Sequence, residues 1–439
     1  MKVFVYTLGC RLNQCESEAL MDAFIRAGFE KAENAQESDL VVVNTCTVTS
    51  KAEQKARRMI RLFAKSAEAV IVTGCYAEMD RSEIERLGDN IHVYGLREKG
   101  GLLKLPEHIM ASLATTEDLN FIISSFKDEE RGPFIFDASS FSYHSRAYLK
   151  IQDGCDNSCL YCRTTIARGP SVSLDADEVV KRAKKIEEEG LHEIMLTGVN
   201  LTMYNHDSGG LGELTERLLS ELGPDMRIRF SSLEADHVDD RLLSCFKDER
   251  IFPHFHLPIQ SASNRVLERV NRKYTIEHIE YIISKMREYK DDPFIACDII
   301  AGLPGEDDEA FSLTYDFLER TGFAAMHVFP YSPREGTALW GAADRVEERV
   351  RDERAARLRK LSMVLSRRYV SRQIGKECEV IVEKEKGGKL YGTTGNYLKV
   401  EIASRDKIGE GSLLKGRIVS LSPLVFRATD LFSQPSVLS

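Results

Sequence analysis

Three cysteines place the strongest constraint on how this chain can fold, because Cys155, Cys159 and Cys162 lie within one short stretch, CDNSCLYC. The Cys-x3-Cys-x2-Cys spacing lets a single loop wrap three corners of a cubane [4Fe–4S] cluster. A fourth cysteine would close such a cluster, but none lies nearby in the sequence. The spacing therefore predicts a cluster with one iron left open to a small ligand.

Two other interpretations of this loop are a zinc site and three buried thiols. A zinc site usually takes a fourth Cys or His ligand, and the nearest downstream histidine is His192. The rest of the chain favours the cluster.

Length and composition describe a chain of several domains. Its 439 residues, 43% of them hydrophobic, suffice for two to four ordinary cores. No stretch approaches the roughly 18 apolar residues of a membrane span, and the first residues, MKVFVYTLGC, form a strand pattern rather than a signal peptide. Ten cysteines in this context predict a cytoplasmic protein with metal or redox chemistry rather than disulfides.

Charge is distributed unevenly along the chain, whose net charge is −9. Residues 345–370 carry nine Arg or Lys against four Asp or Glu, and residues 371–439 carry eleven against eight. This excess of positive charge near the C-terminus indicates that the C-terminal part binds a polyanion. The alternative is a solvated helix face followed by an ordinary small domain.

Residues 1–110 alternate between strand and helix patterns and predict an α/β domain with a parallel sheet. Strands are expected at 2–8, 39–44 and 69–73, and helices at 15–27 and 51–65. Each predicted strand runs into a cysteine: Cys10, Cys46 or Cys75. Since the carboxyl ends of parallel strands share one edge, these three thiols should converge and hold a second cluster with one open iron. Taken singly, each cysteine is better explained as a small buried hydrophobe, and it is the coincidence of three at equivalent positions that favours the cluster.

Residues 111–140 lose this periodicity and are interpreted as a linker. Residues 141–370 then repeat a strand–helix unit about six times, which predicts an open or partial barrel. The predicted strands are 147–152, 193–197, 227–231, 254–257, 294–300 and 325–330. In barrels the chemistry lies at the C-terminal ends of the strands, where Thr197, Gly198, Ser232 and Gln260 are found.

The pattern changes again at residue 346. Residues 346–371 predict a long Arg-rich helix, and from residue 372 the period becomes two, with strands expected at 377–383, 390–394, 397–402 and 414–419. Short strands with Gly-rich turns predict a small β-barrel over 371–439, either a nucleic-acid-binding module or a capping domain.

Motifs in all three parts resemble the radical S-adenosylmethionine (SAM) methylthiotransferase family. They are TLGCRLN (7–13), NTC (44–46), TGC (73–75), QDGC (152–155) with the two cysteines that follow, LTGVN (196–200), PIQS (258–261), NRKY (271–274) and DIIAGLPGE (298–306). The β-rich end resembles the RNA-binding TRAM domain of that family. Segment 196–200 and HVFPYSPR (327–334) most resemble the branch that modifies N6-threonylcarbamoyladenosine at position 37 of tRNA.

The resemblance implies two [4Fe–4S] clusters, on Cys10/Cys46/Cys75 and on Cys155/Cys159/Cys162, with SAM at the open iron of the second. It implies that SAM is cleaved to a 5′-deoxyadenosyl radical, that the first cluster supplies sulfur, and that no side chain acts as catalytic acid or base. Residues expected to contact SAM are Tyr161, Thr197, Gly198, Asn200, Ser232, Gln260 and Asp298. Residues expected to contact tRNA are Arg334, Lys389, Tyr391, Tyr397 and Lys399.

The implied partners are the tRNA anticodon loop and an electron donor such as flavodoxin or ferredoxin, with no membrane. Three positions depart from the usual family residues, namely Thr165, Ala262 and Glu335. The alternatives are methylthiolation of isopentenyladenosine or of a ribosomal-protein aspartate, and, from another class, a non-catalytic iron–sulfur RNA-binding sensor.

Overall fold

The computed structural model describes residues 1–113, 118–127, 132–136, 146–207, 209–403, 408–421 and 423–433. The N-terminal part contains β1 (Lys2–Thr7), α1 (Arg11–Arg26), β2 (Glu30–Lys31), β3 (Leu40–Thr45), α2 (Ser50–Phe63), β4 (Ala69–Gly74), α3 (Cys75–Met79), α4 (Arg81–Glu85), β5 (Ile91–Val93), α5 (Leu105–Ser112) and α6 (Leu119–Ser125).

These strands form a parallel sheet in the order β2-β1-β3-β4-β5. Every residue of β3 and β4 is buried, as expected for Val- and Ile-rich strands covered by helices on both faces. This confirms the predicted parallel α/β architecture. The edge strands β2 and β5 are too short to leave a period-two pattern, so the sequence did not predict them.

The segment predicted as a linker contributes to this domain's core. Leu119, Ile122 and Ile123 of α6 are buried with Leu20 and Val42. Residues 114–117, 128–131 and 137–140 of the segment lie outside the described residues. Helix α6 therefore packs as the last layer of the N-terminal domain, whereas Phe134 packs against the core of the central part.

The central part alternates strands and helices. It comprises β6 (Ala147–Lys150), β7 (Gln152–Asp153), α7 (Thr164–Arg168), β8 (Val172–Ser173), α8 (Ala176–Glu188), β9 (Glu193–Thr197), β10 (Asn205–His206), β11 (Gly209–Gly210), α9 (Leu211–Glu221), β12 (Arg227–Phe230), α10 (Asp240–Cys245), β13 (His254–Gln260), α11 (Asn264–Arg269), α12 (Ile276–Tyr289), β14 (Phe294–Ala301), α13 (Asp308–Thr321) and β15 (Ala325–Pro330).

Six of these strands form the predicted partial barrel. The parallel sheets β6-β9-β12 and β13-β14-β15 are joined by the parallel bridges Ile228–Ile251 and Ser232–His256. The strands therefore run in the order β6-β9-β12-β13-β14-β15. One hydrophobic core extends through these strands and α8, α9, α12 and α13, because each helix turns its apolar stripe inward.

Helix α14 (Glu348–Arg372) leads to β16 (Glu377–Lys386), β17 (Lys389–Thr394), β18 (Lys399–Ala403), β19 (Leu413–Leu421) and β20 (Leu424–Ser433). These strands close a barrel in the order β16-β17-β18-β20-β19, which confirms the small barrel. The sequence did not predict β20, whose parallel pairing with β18 closes the barrel across a long connection. Among the described helices, none is long and apolar enough to span a membrane.

Candidate iron–sulfur sites

The three N-terminal cysteines lie at one edge of the first sheet. Cys10 precedes α1, Cys46 follows β3, and Cys75 begins α3 directly after β4. In register, Thr7 is paired with Asn44 and Asn44 with Thr73, so the three loops leave the sheet side by side. The sequence predicted this convergence from strand order alone.

Close packing of the loops supports the convergence. Gly9 has φ +107°, and a Cβ atom there would lie 3.0 Å from the Cys46 Sγ. Asn13 donates hydrogen bonds to the Leu8 carbonyl at 2.7 Å and to the Thr45 carbonyl at 3.0 Å. A buried amide thus fixes the first two cysteine loops to each other.

Burial disfavours the thiolate form of two of these cysteines, Cys46 and Cys75. Burial, with a smaller contribution from the charges of Cys10 and Cys75, raises the pKa of Cys46 to about 12. Burial also raises the pKa of Cys75, although Arg168 opposes the shift. Because iron binds thiolates, metal binding would release these protons.

The second cysteine set lies in the loop between β7 and α7, at the C-terminal end of the first barrel strand. The Cys155 amide donates to the Gly169 carbonyl at 3.1 Å, and the Cys162 amide to the Cys159 carbonyl at 3.0 Å. Gly154 has φ +70°, and a Cβ atom there would lie 1.9 Å from the Pro170 carbonyl oxygen. The loop conformation therefore depends on glycine immediately before Cys155.

Polar side chains from the barrel face these thiols. The Asn200 side chain donates to the Cys155 Sγ at 3.8 Å, and Arg272 Nη1 donates to the Cys159 Sγ at 3.2 Å. Burial raises the pKa of Cys155 to about 11, and hydrogen bonds to its sulfur oppose that shift. These donors suit thiolate sulfur that shares its charge with iron.

Neither cysteine set is gathered around a single point. Within the described part of the chain, no three His, Cys, Asp or Glu side chains are placed to hold one metal ion. A zinc site needs its ligands about 2.3 Å from one ion, whereas in a cubane each thiolate binds a different iron.

Of the residues expected to contact SAM, all but Tyr161 lie at the barrel mouth, and a histidine that the sequence analysis missed connects two of them. Ser232 Oγ lies 2.7 Å from His256 Nδ1, and His256 Nε2 lies 2.9 Å from Asp298 Oδ1. Strand alternation could have identified His256, because it shares the inner face of β13 with His254.

The remaining expected SAM contacts are also at this mouth. Thr197 is buried at the end of β9, and its hydroxyl has no hydrogen-bond partner among the described residues. The Gln152 Oε1 atom accepts a hydrogen bond from the backbone N–H of Asn200 at 2.9 Å, and the Gln152 side chain also lies beside Gly198. Gln260 ends β13 with φ +63°.

Tyr161 lies apart from the other expected SAM contacts. Its ring packs with Val266, Val270 and Leu303 in a small apolar cluster beside the cysteine loop.

A buried acid–base pair adjoins the same cysteine loop. Arg272 contacts Glu234 and also donates to the Pro258 carbonyl at 2.7 Å. Burial raises the pKa of Glu234 to about 7, although Arg272 opposes the shift. Arg272 lies in the NRKY motif, but its contact with a cysteine sulfur could not be read from the sequence.

Arg334 lies where the two domains meet. Its guanidinium donates to the Ser50 hydroxyl at 2.8 Å and pairs with Glu53. Arg163, next to Cys162, pairs with the same Glu53 carboxylate at 3.0 Å. The Nε atoms of both arginines are buried without a hydrogen-bond partner in the described structure. The sequence analysis missed Arg163.

The expected RNA contacts of the C-terminal barrel are dispersed. Lys389 pairs with Glu401 at 3.0 Å and Lys399 with Glu383 at 2.6 Å. Tyr391 lies half-buried on β17. Tyr397 lies in the seam with the central part, where its ring centroid is 4.3 Å from that of His254.

Cations enclose the Tyr397 ring further. The guanidinium carbons of Arg11 and Arg229 lie 4.8 Å and 5.0 Å from its centroid. The Tyr397 ring therefore packs in the seam between the barrel and the central part, and its predicted contact with tRNA stays a prediction.

The three departures from the family pattern have ordinary surroundings. Thr165 donates to the Asn157 carbonyl at 3.3 Å, and the buried Ala262 donates its amide to Thr314 at 3.1 Å. Nothing in the structure explains Glu335.

Two models of known protein families match this chain. Residues 2–95 match "Uncharacterized protein family UPF0004", and residues 149–318 match the radical SAM superfamily. The chain is 35% identical to the threonylcarbamoyladenosine tRNA methylthiotransferase MtaB of Treponema pallidum, covering 92% of this chain and 95% of that protein.

Two further relatives and one solved structure complete the comparison. The MtaB protein of Bacillus subtilis is 36% identical to this chain, and the match covers 93% of this chain and 92% of that protein. The tRNA-2-methylthio-N(6)-dimethylallyladenosine synthase of Endomicrobium trichonymphae is 30% identical, covering 91% and 93%. The radical SAM methyltransferase TsrM from Kitasatospora setae shares the fold, with a TM-score of 0.51, 14% identity and coverage of 77% and 74%.

Proposed function

Because this chain belongs to the family of threonylcarbamoyladenosine tRNA methylthiotransferases, we propose that it converts N6-threonylcarbamoyladenosine at position 37 of tRNA to its 2-methylthio derivative. The observation that carries the proposal is the presence of two three-cysteine sets, one in each matched domain. A radical SAM enzyme without sulfur transfer needs only the set at 155–162.

The cofactors of this enzyme are two [4Fe–4S] clusters and SAM, which together supply a carbon-centred radical and a methylthio group. We propose that Cys10, Cys46 and Cys75 hold the auxiliary cluster and that Cys155, Cys159 and Cys162 hold the cluster that binds SAM. Glycine at 9 and 154 lets the loops approach closely, and the buried Asn13 and Asn200 orient them.

The proposed SAM contacts are Tyr161, Thr197, Gly198, Asn200, Ser232, Gln260 and Asp298. Ser232 and Asp298 both face His256, so we propose that they fix its ring in the barrel mouth. The unpaired buried hydroxyl of Thr197 suits a polar group of the cofactor, because a buried hydroxyl left unpaired is costly.

Recognition of the threonylcarbamoyl group needs a cation, since that group carries a carboxylate. We propose that Arg334, with Arg163, supplies it. Both arginines meet at Glu53, where the N-terminal domain adjoins the cysteine loop. A substrate carboxylate can share this donor set, because a guanidinium presents five N–H donors.

Binding of the tRNA anticodon loop is assigned to α14 and the outer face of the C-terminal barrel. Among the described residues, exposed Lys360, Arg367 and Arg368 of α14 have no acidic partner within 4.0 Å. The candidate barrel contacts stay Lys389, Tyr391, Tyr397 and Lys399. A base in such a loop can be splayed out for capture.

The same chemistry suggests the electron donor and the cellular location. We propose a flavodoxin or ferredoxin as reductant and the cytoplasm as the location, where cysteines stay reduced. We also propose that the functional units are 1–110, 141–370 and 371–439, with 111–140 between the first two.

Nucleoside mass spectrometry of tRNA tests the proposal. Cells that lack the protein should lose 2-methylthio-N6-threonylcarbamoyladenosine and accumulate its precursor, and expression of the chain should restore the product. Purified enzyme should act on threonylcarbamoylated tRNA and poorly on isopentenylated tRNA. Preference for the isopentenylated tRNA would contradict the assignment, and failure to cleave SAM would favour the non-catalytic sensor.

A further inference from the structure

Each three-cysteine set contains one sulfur that accepts a hydrogen bond from a buried arginine. Arg168 Nε donates to the Cys75 Sγ at 3.2 Å, and Arg272 Nη1 donates to the Cys159 Sγ at 3.2 Å. The two guanidinium side chains are 3% and 4% exposed. The two proposed cluster sites therefore carry equivalent donors from different segments.

Arg168 connects the two domains. It lies on α7, directly after the second cysteine loop, and reaches a thiol of the N-terminal domain. Its other nitrogens donate to Asp153 at 3.0 Å and to the Asn13 side chain at 3.1 Å. Its position is thus fixed by partners on both sides.

The charges around Arg168 explain how a guanidinium is tolerated there. Glu16 contacts Lys99 and pairs with Lys150 at 2.9 Å, and Asp153 pairs with Lys150 at 2.6 Å. With Arg168, three cations meet two carboxylates. Of these three cations, Arg168 contacts Cys75.

Arg272 is held within the central part only. It follows Asn271, which has φ +60°, and it is anchored by Glu234, the Pro258 carbonyl and the Tyr274 hydroxyl. Among the described residues, its hydrogen-bond and ion-pair partners all lie in the central part.

A fixed donor at a cluster sulfur changes the reduction potential of that cluster. Reduction adds negative charge to the iron and sulfur atoms, and hydrogen bonds and positive charge near them favour the reduced form. The effect is local and strong where burial lowers the dielectric constant. Arginine also keeps its charge at every accessible pH.

We propose that Arg168 and Arg272 are positioning residues that set the reduction potentials of the two clusters separately, Arg168 for the auxiliary cluster and Arg272 for the SAM-binding cluster. This rests on the cluster assignment in the proposed function and goes beyond it, because it names the residue that tunes the potential of each cluster. Each arginine raises the potential of its own cluster.

Redox titration followed by electron paramagnetic resonance tests this on the reconstituted full-length protein. Arg168→Gln should shift the auxiliary potential to more negative values and leave the SAM-binding cluster unchanged, and Arg272→Gln should do the reverse. Arg168→Lys, which keeps the charge but changes the donor geometry, should give a smaller shift. Cluster signals are assigned with Cys75→Ala and Cys159→Ala.

The buried Arg354, which pairs with Glu306 at 2.9 Å, provides the control. Arg354→Gln should move neither potential. Unchanged potentials in both Arg168 variants and in Arg272→Gln, or equal shifts of both clusters in every variant, would overturn the inference while the function stands. A wild-type protein with a single cluster would overturn the cluster assignment itself. If Arg168→Gln fails to retain its cluster, Arg168→Lys decides the result.

Discussion

Buried ion pairs stabilise the interface between the N-terminal domain and the central part. Glu16 is 1% exposed and lies among Lys99, Lys150 and Arg168. Burial alone would raise the pKa of Glu16, but these three cations hold it well below its ordinary value. A carboxylate in this position is stabilising only while it is ionised.

Replacement of this carboxylate gives the first prediction. Glu16→Gln should lower the free energy of unfolding by about 3 kcal/mol at pH 7, because it leaves buried cations short of a partner. Urea denaturation measures the change, and the exposed Glu309→Gln serves as control. A loss equal to that of the control would contradict the role given to Glu16.

The pH dependence of stability gives the second prediction. Since the folded pKa of Glu16 is depressed, its contribution is present above the ordinary pKa and is lost as pH falls through the folded value. Wild-type stability should therefore decline from about pH 5 downward, and Glu16→Gln should decline less steeply. Denaturation curves at several pH values compare the two slopes. Parallel slopes would show that Glu16 is not responsible.

At the scale of elements, α14 separates its cations into two groups. Arg354 is buried and holds Glu306 and Asp308, so it attaches the helix to the core. Lys360, Arg367 and Arg368 are exposed on the outer face. The helix therefore combines an anchoring side with a side open to phosphate.

The exposed group gives the third prediction. Changing Lys360, Arg367 and Arg368 to Ala should weaken tRNA binding and make the slope of log K against log salt less steep by about one for each phosphate that the variant no longer binds. Arg349→Ala on the same helix is the matched control, because Arg349 is paired with Glu353 at 2.7 Å. Binding measured at several salt concentrations gives both slopes. An unchanged slope in the triple variant would place the RNA elsewhere.

The C-terminal barrel is attached to the core by specific contacts rather than resting on a linker. Arg227 pairs with Glu379 at 2.7 Å, and Arg229 donates to the Gly395 carbonyl at 2.8 Å. Removal of residues after 370 would expose these buried arginines. Truncation should therefore lower the stability of the central part as well as RNA affinity, so point variants on α14 test RNA binding more cleanly.

At the scale of the whole molecule, the two cysteine sets have different proposed roles. This difference gives the fourth prediction. Reconstituted wild-type protein should contain about eight irons. Cys75→Ala should contain about four, still form 5′-deoxyadenosine from SAM and make no methylthio product, because the radical step needs only the second set. Cys159→Ala should lose both activities. Iron analysis and chromatography of both products compare the variants.

Full product formation by Cys75→Ala would contradict the sulfur-transfer role. The Arg168–Cys75 contact adds a requirement that the sequence analysis did not foresee: the two domains must stay docked in the Cys75 variant. Circular dichroism and thermal denaturation of that variant provide the control.

The sequence by itself determined the three-part architecture and the position of the six cysteines at strand ends, because both depend on short-range patterns. A parallel strand followed by a cysteine places that cysteine at the sheet edge whatever else the chain does. The edge strands β2 and β5 and the closing strand β20 were not predicted. Strands of two or three residues show no periodic pattern, and β20 is defined by its pairing with β18.

Only the tertiary structure decided which side chains complete the sites. Arg168 and Cys75 lie far apart in sequence, as do Arg334 and Glu53, and no local pattern connects them. Tyr397 and Lys399 lie in a segment whose pattern is typical of an RNA-binding face, yet one fills an interdomain seam and the other pairs with Glu383. Contacts between domains are set by how complete surfaces fit, and such surfaces exist only after each domain has folded.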